Sequence, residues 1–193
     1  MQQPRRLSLR LLDYDYTTPG AYFLTVCAAA RECLFGRPEN DSVELSQLGE
    51  MVRECWLAIP NHFTIAELDA YVVMPNHLRG IIVLTDDGRG KTCRAPTTER
   101  FGQPVAASLP TIVRSFKAAV TKRVNEIGVA AKRPIWQRSY YEHVIRNAES
   151  LDRIRDYIAT NPLRWNLDRE NPASTGSDEF DRWLAGLSAR SSP

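Results

Sequence analysis

Several things are scarce or missing in this chain. The only histidines are His62, His77 and His143. The four cysteines, Cys27, Cys33, Cys55 and Cys93, form neither a CxxC pair nor a zinc-module spacing, so no disulfide or zinc framework is indicated. Cys27 and Cys55 lie in apolar runs and read as small buried hydrophobes. No apolar run reaches the length of a membrane span. The opening Met1-Gln2-Gln3-Pro4-Arg5-Arg6 lacks the apolar stretch of a secretory signal, so a cytoplasmic protein with reduced thiols and no membrane partner is expected. Nor is one sign of charge dominant: 25 Lys and Arg face 23 Asp and Glu, for a net charge of +2. With 43% apolar and 25% charged residues over 193 positions, wholesale disorder and a collagen-like repeat are excluded. What is left is one ordinary domain, or a domain with an appendage.

The small net charge conceals an uneven distribution. Residues 1–88 carry 7 basic and 12 acidic side chains, and residues 148–193 carry 6 and 8. The 59 residues between them, 89–147, carry 12 basic side chains against Glu99, Glu126 and Glu142, for +9. A cationic stretch inside a near-neutral chain points to a face that meets a polyanion; the plainer alternative is a solvated surface.

Element signals are clear along most of the chain. The segment Ala21–Ala28 has the β-branched and aromatic content of a central strand, after the turn signal Thr18-Pro19-Gly20. A short hairpin around residues 33–36 and 43–45 follows. Leu48, Met51, Val52, Cys55, Trp56 and Ile59 then repeat at helical spacing, with Ser46 as N-cap and Pro60 as stop. Ile65–Met74 and Leu78–Leu84 read as adjacent strands across Pro75-Asn76-His77, and residues 85–107 as a long flexible loop. A second amphipathic helix runs from Ser108 to near Gly128, Pro134–Arg146 reads as a strand, and Ser150–Asn161 as a third helix stopped by Pro162. The order of the first six elements is the split β-α-β of an α+β, ferredoxin-like fold: about four antiparallel strands with helices on one face and the other face open. Residues 1–165 form the domain. Residues 166–193 form a polar tail with room for one short helix at Phe180, Trp183 and Leu187.

Three ordered stretches carry a resemblance. They are Leu68-Asp69-Ala70-Tyr71-Val72-Val73-Met74-Pro75-Asn76-His77-Leu78, Ile135-Trp136-Gln137-Arg138-Ser139-Tyr140-Tyr141-Glu142-His143-Val144-Ile145-Arg146, and Ile154-Arg155-Asp156-Tyr157-Ile158-Ala159-Thr160-Asn161-Pro162-Leu163-Arg164-Trp165. With these the chain resembles, over roughly residues 10–165, the REP-associated tyrosine transposases. These belong to the single-tyrosine HUH superfamily, named for a His–hydrophobe–His motif. The resemblance implies a domain that cleaves and rejoins single-stranded or hairpin DNA, with repeated extragenic palindromic elements as partner, acting as a monomer or homodimer. It implies Tyr157 as the nucleophile forming a 5′-phosphotyrosine link, and Mg²⁺ or Mn²⁺ held by His77 and Asn161.

Residue geometry supports part of this. Positions i and i+2 on a strand share a face, so a His-x-His pair aims two imidazoles at one metal. Here the second position is Arg79, a departure from the pattern. A guanidinium has no lone pair to give a cation but can hold a phosphate, so Arg79 is placed among the DNA contacts. Positions i and i+4 on a helix also share a face, so Tyr157 and Asn161 can look at one site. The basic loop 89–100, Arg114, Lys117, Lys122, Arg123, Lys132 and Arg133 are placed along a phosphate backbone, with Gln137 and Arg138 beside Trp136 as candidates to read or stack on bases. His143 is left as structural or DNA-contacting, and His62 gets no role. For each residue alone the plainer reading is a packed tyrosine, a satisfied turn histidine or an ordinary helix end. At the level of function the alternatives are a non-catalytic DNA-hairpin binding protein on the same fold and an RNA-binding ferredoxin-like module.

Overall fold

The computed structural model describes residues 14–86, 105–128 and 133–190. The basic loop 89–100, Lys132 and Cys93 lie outside them. The strands are β1 (Gly20–Cys27), β2 (Gly36–Glu39), β3 (Ser42–Leu45), β4 (Ala66–Met74), β5 (His77–Leu84) and β6 (Tyr141–Ile145). The helices are α1 (Gln47–Leu57), α2 (Ile59–His62), α3 (Leu109–Glu126), α4 (Ala148–Thr160) and α5 (Glu179–Arg190), with 3₁₀ turns at Ala29–Arg31 and Pro162–Leu167. The main sheet has the order β4-β5-β1-β6, antiparallel at each pairing, which is the expected ferredoxin-like arrangement. The β2–β3 hairpin stands apart from it.

Local chemistry explains the helix starts. Ser46 accepts the Gly49 amide at 3.1 Å and opens α1, and Ser108 accepts from Thr111 and opens α3. Asn147 accepts the Ser150 amide at 2.8 Å and opens α4. Pro60 does not stop the helical path as expected. It sits in the first turn of α2, where a proline's missing N–H costs nothing.

One face of the sheet packs on α1 and α3. Tyr22, Leu24 and Val26 of β1 and Leu78 and Ile82 of β5 meet Val52, Trp56, Ile112, Phe116 and Val120. The Trp56 and Phe116 rings meet edge to face at 5.5 Å. Gly80 makes room for this contact: a Cβ there would lie 2.5 Å from the Trp56 ring.

The second face is not open, which corrects the expectation. Phe23, Ile81 and Ile145 are covered by Ile154, Tyr157 and Ile158 of α4 and by Phe180 and Leu184 of α5. A fork from Arg155 to Asp69, at 3.0 and 2.6 Å, ties α4 to β4 beside the β-bulge between Leu68 and Tyr71. The expected strand at 134–146 is also shorter, with only Tyr141–Ile145 in the sheet ladder. Upstream, Trp136 makes an isolated bridge to Ala28. The carbonyls of Gln137, Arg138 and Ser139 turn to the Lys117 ammonium, at 2.7, 3.4 and 3.4 Å.

Candidate functional site

Strand alternation puts His77, Arg79 and Ile81 on the second face, under α4 and α5. Across the ladder, Cys27 stands opposite His77 and Thr25 opposite Arg79. His77 is fully buried. Its neighbour Asn76 gives its amide hydrogens to the carbonyls of Arg31 and Glu170, at 3.0 and 2.7 Å. The Asn76 oxygen therefore accepts from His77 Nδ1 at 2.8 Å, which leaves Nε2 with a bare lone pair. Nε2 has no hydrogen-bond partner among the described residues and lies 3.7 Å from Asp168 Oδ2. Burial first, and then the charge of Arg79, push the His77 pKa down to about 3, so the ring is neutral at physiological pH.

Arg79 is 1% exposed. Its Nη1 donates to Asp168 Oδ2 at 2.5 Å and to Asn161 Oδ1 at 2.7 Å, and its Nη2 donates to Asp168 Oδ1 at 3.0 Å. Asn161 closes the ring by giving its amide to Asp168 Oδ2 at 3.0 Å. This is a two-pronged guanidinium–carboxylate fork with a third acceptor. Burial opposes the charge of Asp168, but Arg79 offsets this and holds the carboxyl down at about 2. Burial likewise opposes the charge on Arg79, and Asp168 more than offsets it.

Tyr157 projects from α4 into the same cluster. Its ring stacks on Phe180 of α5, with centroids 3.6 Å apart and planes 9° from parallel, and the Arg79 guanidinium lies 4.9 Å from its centroid. The hydroxyl is buried and has no hydrogen-bond partner among the described residues, as is true of Thr25 Oγ1. Burial raises the Tyr157 pKa well above the ordinary phenol value, although Arg79 pulls the other way.

The structure thus brings His77, Arg79, Tyr157 and Asn161 into one cluster. It also adds residues that sequence reasoning missed. Asp168 fills the centre, Phe180 covers the tyrosine, Thr25 faces Arg79 from β1, and Asn76 sets the histidine tautomer. Asp168, Glu170 and Phe180 all come from the stretch after Trp165. Further ion pairs hold that stretch in place, from Arg31 and Arg169 to Glu170, both at 3.1 Å, and from Arg164 to Asp178 at 3.3 Å. The one available signal was indirect: an arginine at the centre of a buried strand needs an acidic partner. Nothing in the spacing says which acid.

The residues in place do not fit a divalent cation. Asn161 Oδ1 is taken by Arg79 and both Asp168 oxygens accept from the same guanidinium, which leaves the His77 lone pair and the neutral hydroxyls of Thr25 and Tyr157 uncommitted. Among the described residues no group of three His, Cys, Asp or Glu side chains is placed to hold a metal ion.

The residues expected to meet DNA separate into two groups. Arg79 is not at the surface, which corrects its assignment as a DNA contact: its positive charge is spent inside, on Asp168. Arg114 and Arg138 are exposed, whereas Lys117 is half-buried and directed at the 137–139 carbonyls. The Gln137 backbone N–H donates to Cys27 O at 3.0 Å, so the segment carrying Gln137 and Arg138 lies at the end of β1 where Cys27 faces His77. Arg123 pairs with Glu54 at 2.6 Å, Arg133 with Glu32 at 2.9 Å and Lys122 with Glu126 at 3.9 Å. Part of the cationic stretch is therefore neutralised locally. His143 is half-buried in β6, where burial and then Arg146 lower its pKa. No described helix is long and apolar enough to cross a membrane.

No protein-family model matches the chain. An uncharacterized protein of Haemophilus influenzae is 40% identical over 171 residues, which cover 85% of this chain and 92% of that protein. Among solved structures, a REP-associated tyrosine transposase bound to a REP hairpin superposes with a TM-score of 0.51 at 22% identity, covering 85% of this chain and 74% of that one. The chain belongs to the same family as the Haemophilus influenzae protein, and its fold is that of the REP-associated tyrosine transposases.

Proposed function

We propose that this protein binds single-stranded or hairpin DNA of the repeated palindromic type and, in the conformation described, holds that DNA without cutting it. The fold supports the DNA-binding part, since the solved structure it matches is described as bound to a REP hairpin. The cationic stretch 89–147 adds to that support, with Arg114, Lys122, Arg133, Arg138 and Arg146 as its exposed described basic members. One observation carries the second part: the Tyr157 hydroxyl is buried beneath Phe180, and the polar groups around it are tied into the Arg79–Asp168–Asn161 network. A phenol in that setting is hard to ionise and out of reach of a phosphodiester.

A second reading is favoured by a specific feature. Tyr157 OH and His77 Nε2 are both buried without partners, a costly arrangement that a catalytic role would explain. In that reading the Tyr157 oxygen attacks a DNA phosphorus. An O–P bond forms, the phenol proton is released, the P–O3′ bond breaks and O3′ leaves as a 3′-hydroxyl after taking up a proton. The product is a 5′-phosphotyrosine that can be rejoined.

The two readings part in one experiment. Labelled hairpin oligonucleotide is incubated with the protein, with and without Mn²⁺, then run on native and denaturing gels. A native shift with no covalent adduct supports binding without cleavage. An adduct that disappears in Tyr157→Phe establishes the second reading. Absence of any native shift defeats both.

A further inference from the structure

A transposase fold of this kind implies a divalent cation at the strand histidine, and the residues here do not accommodate one. We infer that Arg79 takes the cation's place, so the site carries its own fixed positive charge and takes up no metal. The inference rests on the arrangement of four side chains. On β5 the position two residues after His77, which shares its face, holds a guanidinium. That guanidinium is bonded to the two oxygen-bearing side chains that would complete a coordination shell, Asn161 and Asp168. Asp168 Oδ2 lies 3.7 Å from His77 Nε2, so histidine and carboxylate face each other across the spot where a shared ligand would sit, and Arg79 Nη1 is bonded to that same oxygen.

The electrostatic balance points the same way. His77, Arg79, Asn161 and Asp168 are each no more than 1% exposed. The charges of Arg79 and Asp168 cancel. A dication brought into this volume would meet a fixed like charge within a few ångströms in a medium that screens poorly. It would also gain one uncommitted imidazole lone pair and no free carboxylate or amide oxygen, beside the neutral hydroxyls of Thr25 and Tyr157, where a stable site needs three or four good donors. To admit it, the fork would have to open and leave a buried guanidinium unpaired, which is more costly than the closed arrangement. Arg79 thus does three things at once: it removes a ligand, occupies two others and supplies the charge.

The test uses the full chain, freed of metal with a chelator, and Mn²⁺ and Co²⁺ as probes. Calorimetric titration of the wild-type protein should give no saturable binding that depends on His77, and the thermal midpoint should not move with either ion. One-to-one binding that His77→Gln abolishes would overturn the inference. In Arg79→His, a one-to-one Mn²⁺ site should appear, and it should vanish again when His77→Gln is added. A folded Arg79→His protein, verified by circular dichroism, that gains no metal would show that the guanidinium is not what excludes the ion, and would also overturn the inference. Should that variant not fold, the wild-type titration decides alone.

A DNA arm rests on the binding reading above. Hairpin affinity should be the same in chelator as in Mn²⁺, and a complex that needs both Mn²⁺ and His77 would count against the inference. If no hairpin binds under any condition, the DNA reading fails and the metal titration still stands as the test.

Discussion

On β1, Tyr22, Leu24 and Val26 go to one face of the sheet, and Phe23, Thr25 and Cys27 to the other. The first face is packed by shape: α1 and α3 bring Trp56, Phe116 and Val120 against it, and Gly80 clears the space for the indole. The second face is apolar at one end, where Phe23, Ile81 and Ile145 lie under α4 and α5. At the other end it is a closed polar network of His77, Arg79, Asn161 and Asp168. The same strands therefore supply both a hydrophobic core and a buried ionic one. The first tolerates substitutions that keep volume. The second tolerates only substitutions that keep every donor matched to an acceptor.

The largest test of that contrast is to break the ion pair on one side and then on both. Asp168→Asn leaves the Arg79 charge buried with no counter-charge and should cost about 3–5 kcal/mol in urea denaturation. Replacing both partners, as in Arg79→Met with Asp168→Leu, should recover part of that loss by removing the unpaired charge, the remainder reflecting the Asn161 amide and the Glu170 N–H, which lose their partners. If the double variant is as unstable as the single one, the second face does not follow the rule proposed for it. Val26→Ala, on the first face, is the reference, since deletion of core methyls costs stability with no prospect of rescue by a second deletion.

Acid should act on the buried groups of the second face. In the folded protein the His77 pKa is about 3, below its ordinary value, and that of Asp168 is about 2, below the ordinary carboxylate value. Both shifts mean that the unfolded chain takes up protons that the folded chain refuses. Stability is therefore retained at neutral pH. It falls as pH drops from about 6.5 toward 3 on account of His77, and from about 4 toward 2 on account of Asp168. Burial sets the histidine value first, followed by Arg79, Asp168, Asn161 and Arg169. For one proton the slope is at most about 1.4 kcal/mol per pH unit. His77→Gln should flatten the stretch between pH 6.5 and 4, measured as the urea midpoint against pH. An unchanged slope would mean that His77 titrates normally when folded.

Much of the first face can be read from residue order, because its information is local. Ser46 and Ser108 announce helix starts, Val and Ile runs announce strands, and the spacing from Leu48 to Ile59 defines the buried stripe of α1. The pairing of Tyr157 with Asn161 is also readable from the helical i, i+4 relation and that of His77 with Arg79 from strand parity, while the meeting of the two pairs is what the resemblance to the tyrosine transposases implies. Asp168 and Phe180 are not readable in this way. They lie in a polar stretch without periodicity, and their partners are 89 and 23 positions away, so only the folded chain tells which acid meets Arg79 and which ring meets Tyr157. The overlong strand expected at 134–146 fails for a similar reason. Its residues have strand propensity, but Lys117, 20 positions earlier, takes the 137–139 carbonyls out of the ladder.

The smallest expected effects come from the helix caps, which ask whether the two faces melt together. Ser46 opens α1 on the first face and Asn147 opens α4 on the second. Alanine at either position should cost about 1 kcal/mol. Ser46 should cost the more of the two, because its hydroxyl also donates to Leu34 O at 2.7 Å, whereas the Asn147 cap is exposed. The four tryptophans provide local probes: Trp56 and Trp136 pack on the first core, Trp183 packs on the second and Trp165 stacks near His77. Chains that keep one of these at a time, with the others changed to Phe, report each face separately by fluorescence. If the sheet couples its faces into a single cooperative unit, each cap variant lowers the midpoint seen by Trp56 and by Trp183 equally. If α4 and α5 detach on their own, Asn147→Ala lowers the Trp183 midpoint and leaves Trp56 unmoved. The ionic end of the second face argues for coupling, since releasing α4 and the 3₁₀ turn would strand Arg79 on β5 without Asp168 or Asn161.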